Sequence, residues 1–457
     1  MITPRVAIIG FGMAGVGASR AVRHHRGLAN TPADFRPEIT VLEACPKVGG
    51  KVAQRDVGAQ FIDETGFYPI DRLIAEHRLE THPAREDYEL VHMKLKNGTV
   101  LDAEDFSKAL DVTRRELLAA LTPARAAELD TIGVVQFIEK LRMSELLDDD
   151  EEAAMRARAL LEEGKRDISS LYYALTFAKS ATPMNRLEVV GGLYEIPNAE
   201  RKALAKWGGR IVLDARVIDI NVKKKNVRIT WQQGDDTATE DFDAAIIALS
   251  PEHLSPKRLR ITGSPLPLGP LIRLRPARIT KSNLTLHRPV RATEHATERY
   301  AMWISNAKRS HELVATFFHG WEGQAPLSLW QMLRIAVGNP DPGRLIRFES
   351  ETWDSHAEND GVPEAYITQP GAGEGRRIIA LARDQYFRDT YSSSPVRVAN
   401  HVLGIGGTVR DAAMAGERAF MSLLRGWGYD TSPGWRQFDD PEKAFFGAGA
   451  DVLDTLE

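Results

Sequence analysis

Val6-Ala7-Ile8-Ile9-Gly10-Phe11-Gly12-Met13-Ala14-Gly15 is a short β-branched run that breaks into three spaced glycines. The apolar part suits a strand buried on both faces of a parallel sheet, and Val16 to Val22 continues as a helix. In this G-x-G-x-x-G spacing, Gly10 permits a tight turn, Gly12 lets backbone approach a pyrophosphate, and Gly15 lets helix and strand pack closely. The helix start offers unpaired N–H groups and partial positive charge, with Met13 and Ala14 beside Gly12 as candidate phosphate contacts. A second strand, Glu38 to Leu42, ends in Glu43, an acid placed to accept from both hydroxyls of a ribose. The polar stretch Gly27 to Pro37 accounts for the long interval between the two motifs. Together they predict an α/β fold that binds an adenine dinucleotide.

Composition narrows the rest. The chain has 457 residues, with 59 Lys+Arg against 63 Asp+Glu and a net charge of −4. That length predicts about three domains, or two large interleaved ones. Hydrophobic residues at 43% and charged residues at 27% exclude a disordered chain. No segment approaches ~20 uninterrupted apolar residues, so no membrane span is expected. The near-neutral balance argues against a nucleic-acid partner. The single cysteine, Cys45, excludes an intrachain disulfide and a thiolate metal cluster. The first residues lack a signal-peptide pattern, and a cytoplasmic location is the expectation. No G-x-S-x-G, H-E-x-x-H or P-loop pattern competes. His24-His25 reads as a solvated pair on the first helix, Asp148 to Glu152 as a solvated helix start, and no metal site is expected. Tyr172, Tyr173 and Phe177, at helical spacing, read as core.

After Leu42-Glu43-Ala44 comes Val48-Gly49-Gly50-Lys51. Here the sequence resembles the flavin-containing amine oxidase family (monoamine oxidase and L-amino-acid oxidase-like FAD flavoproteins), whose second strand leads into L-E-A-x-x-x-x-G-G-R. Lys51 replaces the family's arginine, keeping charge near the pyrophosphate but losing the bidentate fork. Asp56 to Ile62 resembles the stretch that passes beside the flavin. Val189 to Pro251 resembles the second FAD segment, which puts the backbone of Val217 at the adenine end. Lys223 to Lys225 falls at a hairpin tip, and Phe242 to Pro251 reads as one buried strand. Leu95 to Leu101, with Asn97-Gly98, reads as a hairpin, and Ala103 to Ser180 as several helices.

Ile279 to Pro289 resembles the strand carrying the family's lysine, which holds a water against flavin N5; Lys281 has that place. Read from pattern alone, Lys281 is equally an exposed lysine on an alternating strand, and Arg275 or Arg278 takes the place if the alignment slips. Pro395 to Leu403 reads as a strand, followed by Gly404-Ile405-Gly406-Gly407-Thr408 and a helix from Val409. This resembles the closing motif, in which Gly407, Thr408 and Val409 stand at the flavin. Two positions depart from the family: Ala415 where serine is common, and Ala399-Asn400-His401 without the usual acid.

The resemblance implies a Rossmann-like FAD-binding domain from residues 1–70, 185–255 and 386–430. A mixed sheet-plus-helices substrate domain would come from 71–184 and 256–385, with a C-terminal tail at 431–457. It implies non-covalent FAD, since no cysteine lies beyond position 45. It also implies hydride transfer from the C–N bond of a small amine or amino acid to flavin N5, with molecular oxygen as acceptor. Arg55 is the candidate carboxylate clamp, and Arg273, near the lysine strand, is another. Three alternatives stay open: a desaturase or isomerase acting on a C–C bond, a catalytically idle flavin-binding protein, and an NAD-only enzyme. A homodimer is also left open.

Overall fold

A computed structural model describes residues 3–453 except 53–58, 60–61, 64–67, 84–91, 96, 164–166, 180–185, 275, 278, 288–294, 298–299, 307–311, 321–323, 339–340, 354–366, 436–444 and 447–451. The apolar run forms β1 (Arg5–Ile9), central in a five-stranded sheet with β2 (Glu38–Leu42), β3 (Arg210–Val212), β4 (Ala244–Ile247) and β5 (Val396–Val398). The spatial order is β5-β4-β1-β2-β3, all parallel. β1 and β4 are buried along nearly their whole length, as a sheet covered on both faces requires. α1 (Met13–Arg23) follows β1. α2 (Ile70–His77), α3 (Glu195–Trp207) and α4 (Val409–Gly426) complete the group of helices around it.

α1 and α4 cross at van der Waals contact of backbones. A Cβ on Gly17 would lie 1.9 Å from the Ala413 carbonyl oxygen, and one on Gly416 would lie 1.9 Å from that of Ala14. Only glycine fits either seat. Glu200 of α3 is fully buried and accepts from Ser19 Oγ at 2.6 Å, from the Arg23 guanidinium, and from His77 Nε2 at 3.0 Å. Arg23 also pairs with Glu76 at 2.6 Å, and His24 meets the same carboxylate at 2.9 Å. Burial opposes ionisation of Glu76, but the His24 hydrogen bond and the Arg23 charge hold it down to about 2. Glu76, His77 and Glu200 converge as metal ligands do. The arginine between the two acids makes the group an ion-pair clasp joining α1, α2 and α3 instead.

A second, seven-stranded sheet orders Leu345–Trp353, Ile279–His287, Glu312–His319, Tyr300–Asn306, His295–Thr297, His92–Lys94 and Val100–Asp102. It is antiparallel except where His295–Thr297 pairs with His92–Lys94. The hairpin expected around Asn97-Gly98 therefore enters a sheet whose other strands lie almost two hundred residues later. One face carries Leu284, Leu286 and Phe317 against Met332 and Leu333 of the helix Leu329–Val337, forming a smaller core. On that face Leu327 N–H donates to His319 Nδ1 at 2.9 Å, which leaves Nε2 to donate to Ser282 Oγ at 2.9 Å. Burial depresses His319 to about 4. Between pH 6.5 and 4 the unfolded chain therefore binds a proton that the folded chain refuses, and stability falls as pH falls through that window. Urea unfolding should lose up to about 3 kcal/mol from this group on acidification. His319→Gln, which can keep both hydrogen bonds, should flatten that part of the pH profile.

Three expectations are corrected. His25 is not solvated: α1 ends at Arg23, and His25 is buried edge-on to Phe35 at 5.3 Å. The run 242–251 is not one strand. Asp236–Phe242 is an outer strand of an antiparallel meander, and Asp243 turns the chain into β4 by accepting the Arg5 amide at 2.7 Å. The strand expected over 395–403 stops at Val398, because Asn400 ties the following turn. In the C-terminal tail at 431–457, Phe445, Phe446 and Leu453 are buried in the main core. The acidic run does begin a helix, with Asp148 and Glu151 capping each other's amides. Tyr172 and Tyr173 are core, and Lys223 to Lys225 are exposed at a hairpin tip.

Candidate cofactor site

The glycine turns that follow β1, β2 and β5 stand at the carboxyl ends of the parallel strands, where order reverses on either side of β1. The turns are bonded side by side. Gly10 N donates to the Leu42 carbonyl at 2.9 Å, and Gly49 N to that of Phe11 at 2.9 Å. Ala215 N donates to the Glu43 carbonyl at 2.8 Å, so the strand bearing Val217 starts against the β2 exit. On the other flank, Ala399 N reaches Ile247 O at 2.9 Å and Asn400 Nδ2 reaches Leu249 O at 3.3 Å. Gly10, Gly12, Met13, Ala14, Gly15, Glu43, Ala44, Gly50, Lys51 and Val217 thus line one edge. Gly407, Thr408 and Val409 follow β5 at the same edge.

Three observations bear on whether a phosphate group fits here. A Cβ on Gly15 would lie 2.2 Å from the Gly10 carbonyl oxygen, whereas one on Gly12 would meet only the Gly49 oxygen, at 3.8 Å. Gly15 is closed by protein and Gly12 opens on free space. The first turn of α1 has neither a side-chain cap nor an acidic residue, so its amides are left for an outside anion. Lys51 Nζ is buried without a hydrogen bond among the described residues, its carboxylate neighbour Glu252 being 4.0 Å away.

Glu43 is buried, and burial raises its carboxyl above the ordinary range while amide hydrogen bonds oppose the rise. One oxygen accepts from Phe11 N at 2.7 Å and the other from Cys45 N at 2.9 Å. The Ala44 amide and the Cys45 thiol bond to the same carboxylate. Its visible work is to lock the two phosphate-side turns together, a role the sequence reading missed.

At the start of α4, Thr408 and Asp411 form a capping box, with the Asp411 carboxylate accepting from Thr408 N at 3.0 Å and Oγ1 at 2.6 Å. Two amides of the helix start, those of Thr408 and Asp411, are thus spent internally. The spacing Thr-x-x-Asp carried that signal. Gly404 and Gly406 press on Asp411, where a Cβ would come within 2.2 and 2.1 Å. Asn400 accepts Leu403 N at 2.9 Å and is a turn-former in place of the family's acid.

Lys281 is 2% exposed, so the reading as an exposed lysine fails. Its ammonium lies 5.5 Å from the centre of the Phe318 ring, its cross-strand neighbour. Ile279, on the same face, belongs to the main core, so this face turns toward the parallel-sheet unit. Arg273 is exposed and paired with Glu374 at 3.7 Å, a surface contact. Arg55, Arg275, Arg278 and most of the stretch 56–62 lie outside the described residues.

The signature of the family described as flavin containing amine oxidoreductase matches residues 28–299, more than half of the chain. The chain belongs to this family. The oxidoreductase is similar in fold to putrescine oxidase solved with putrescine, at 16% identity over 93% of this chain and 99% of that one, with a TM-score of 0.69. It is likewise similar to cyclohexylamine oxidase from Brevibacterium oxydans IH-35A, at 16% identity over 93% of this chain and all of that one, with a TM-score of 0.69. No curated protein matches it significantly in sequence. Family and fold agree on a Rossmann-like unit for the flavin and an enzyme that oxidises amines. No helix among the described residues is long and apolar enough to cross a membrane.

Proposed function

We propose that the oxidoreductase holds FAD non-covalently and oxidises the C–N bond of a small amine or amino acid, with molecular oxygen as acceptor. The observation that carries this reading is the cradle at Gly12, open to the α1 amides and flanked by the unbonded Lys51 ammonium. The amides of Met13 and Ala14 would hold the diphosphate, Glu43 the adenosine ribose, the backbone at Val217 the adenine, and the α4 start the flavin end. FAD, once bound, supplies the two-electron acceptor. The protein's part is to orient the amine, keep bulk water away and hold one water at flavin N5. Lys281 has that last part: burial in a packed sheet fixes its Nζ, which can hold one water in position. The FAD unit takes residues 1–70, 185–255 and 386–430, and the substrate unit takes 71–184 and 256–385.

The idle-scaffold reading loses its motive. The side chain at Asn400 serves the turn, and Gly12, Glu43 and Lys51 keep the cradle whole. Heat-denatured holoprotein should release intact FAD into solution, and an amine and amino-acid panel should yield peroxide with at least one donor. Flavin left on the precipitate would overturn the non-covalent claim. Lys281→Met should retain flavin while slowing flavin reduction or reoxidation about tenfold or more. Unchanged rates in stopped-flow would remove the lysine from the mechanism.

A further inference from the structure

The strand Leu345–Trp353 is the outermost of the seven-stranded sheet, and among the described residues no strand pairs with its outer side. It is long for an edge, and Ile346 and Phe348 are about two-fifths exposed on it, at 40% and 39%. Such an edge is a template for another strand, and charges normally keep copies apart. Here the charges fall in an order that matches itself.

Along this strand the sequence reads Leu345-Ile346-Arg347-Phe348-Glu349-Ser350-Glu351. Arg347 and Glu349 share one face, opposite Thr285 and Asn283 of the neighbouring strand, and they pair with each other. Neither has an oppositely charged residue across the strand to compete for it. Extending the sheet with a second copy about a two-fold axis perpendicular to it keeps every residue on its own face. Only registers that set a residue opposite one an even number of positions away are then allowed. Centring the axis on Arg347 sets Arg347 on its copy, centring it on Glu349 sets Glu349 on its copy even as Arg347 meets Glu351, and centring it on Ser350 opposes Glu349 and Glu351. Centring on Phe348 sets Arg347 opposite Glu349 twice over and stacks Phe348 on its copy. The four charges then alternate around a square, with the outward backbone groups of the two strands set against each other.

We infer that two copies of this chain associate edge to edge through Leu345–Trp353, in the antiparallel register centred on Phe348. The oxidoreductase is then a weak isologous dimer with a continuous sheet across the axis. This does not depend on the proposed substrate or cofactor.

Sedimentation velocity of the flavin-loaded full-length protein, from about 1 to 100 µM, tests it. Wild type should shift from monomer to dimer across that range. Arg347→Glu and Glu349→Arg should each weaken association by more than tenfold while keeping the flavin spectrum. The double exchange, Arg347→Glu with Glu349→Arg, should restore it. An equimolar mixture of the two single variants should also pair, because each then supplies the other's missing charge. A wild type that stays monomeric at the top concentration would overturn the inference. So would a dimer indifferent to Arg347→Glu, or single variants that fail to pair when mixed.

Discussion

Gly12→Ala is expected to leave the apoprotein folded and strip it of flavin. Gly12 has φ −72°, which any residue adopts, and an added methyl meets only the Gly49 oxygen at 3.8 Å. The protein loses at most about 1 kcal/mol at an N-cap position. The methyl fills the space a diphosphate must enter, so affinity should fall by more than about tenfold, or 1.4 kcal/mol. Gly15→Ala behaves otherwise. Its methyl would lie 2.2 Å from the Gly10 oxygen, forcing strand and helix apart. Overpacking of this kind costs about 1–3 kcal/mol, and stability and flavin should be lost together. The pair separates a steric effect on the ligand from one on the fold. Equal destabilisation of the apoprotein by both substitutions would show that Gly12 is structural and that the diphosphate lies elsewhere.

The second large effect concerns stability alone. Glu200→Ala removes a fully buried carboxylate that serves Ser19, Arg23 and His77 at once. The Arg23 side chain is only 9% exposed and would keep Glu76 as its remaining acid partner among the described residues. Breaking a buried charge group from one side costs about 3–5 kcal/mol. Glu76→Ala, at a carboxylate still 22% exposed, should cost about 1 kcal/mol or slightly more. Urea unfolding of the two apoprotein variants gives the comparison directly. A smaller loss for Glu200→Ala than for Glu76→Ala would mean that water, not Glu200, solvates the clasp.

What could be read before the structure was whatever has a local cause. Gly10, Gly12 and Gly15 follow from a turn, a close approach and a close packing, each fixed by neighbours within a few residues. The helix starting at Val409 was legible for the same reason, since a glycine run and Thr408 stand directly before it. Asp236–Phe242 escaped because its outward residues are polar and its inward ones few, so neither apolar run nor clean alternation marks it. The burial of Lys281 escaped because neighbouring strands and the main core bury it, not its own strand's pattern. The Glu200 clasp was beyond reach: its members come from three helices, and Glu200 lies more than a hundred residues beyond its partners. Self-complementarity around Phe348 was visible in the letters, but it means nothing until the strand is known to be an edge.

The crossing of α1 and α4 decides when the protein becomes an enzyme in a growing chain. Arg5 waits for Asp243, 238 residues later, before β1 gains its second neighbour. Gly17 waits for Ala413 and Ala14 for Gly416 before the helix at the cradle has its support. A ribosome that has not yet passed residue 416 therefore carries an apolar β1 and α1 with one side bare, and no competent nucleotide pocket. Such long-range closure is slow and exposes sticky surface meanwhile. Flavin capture consequently waits until synthesis has passed Gly416.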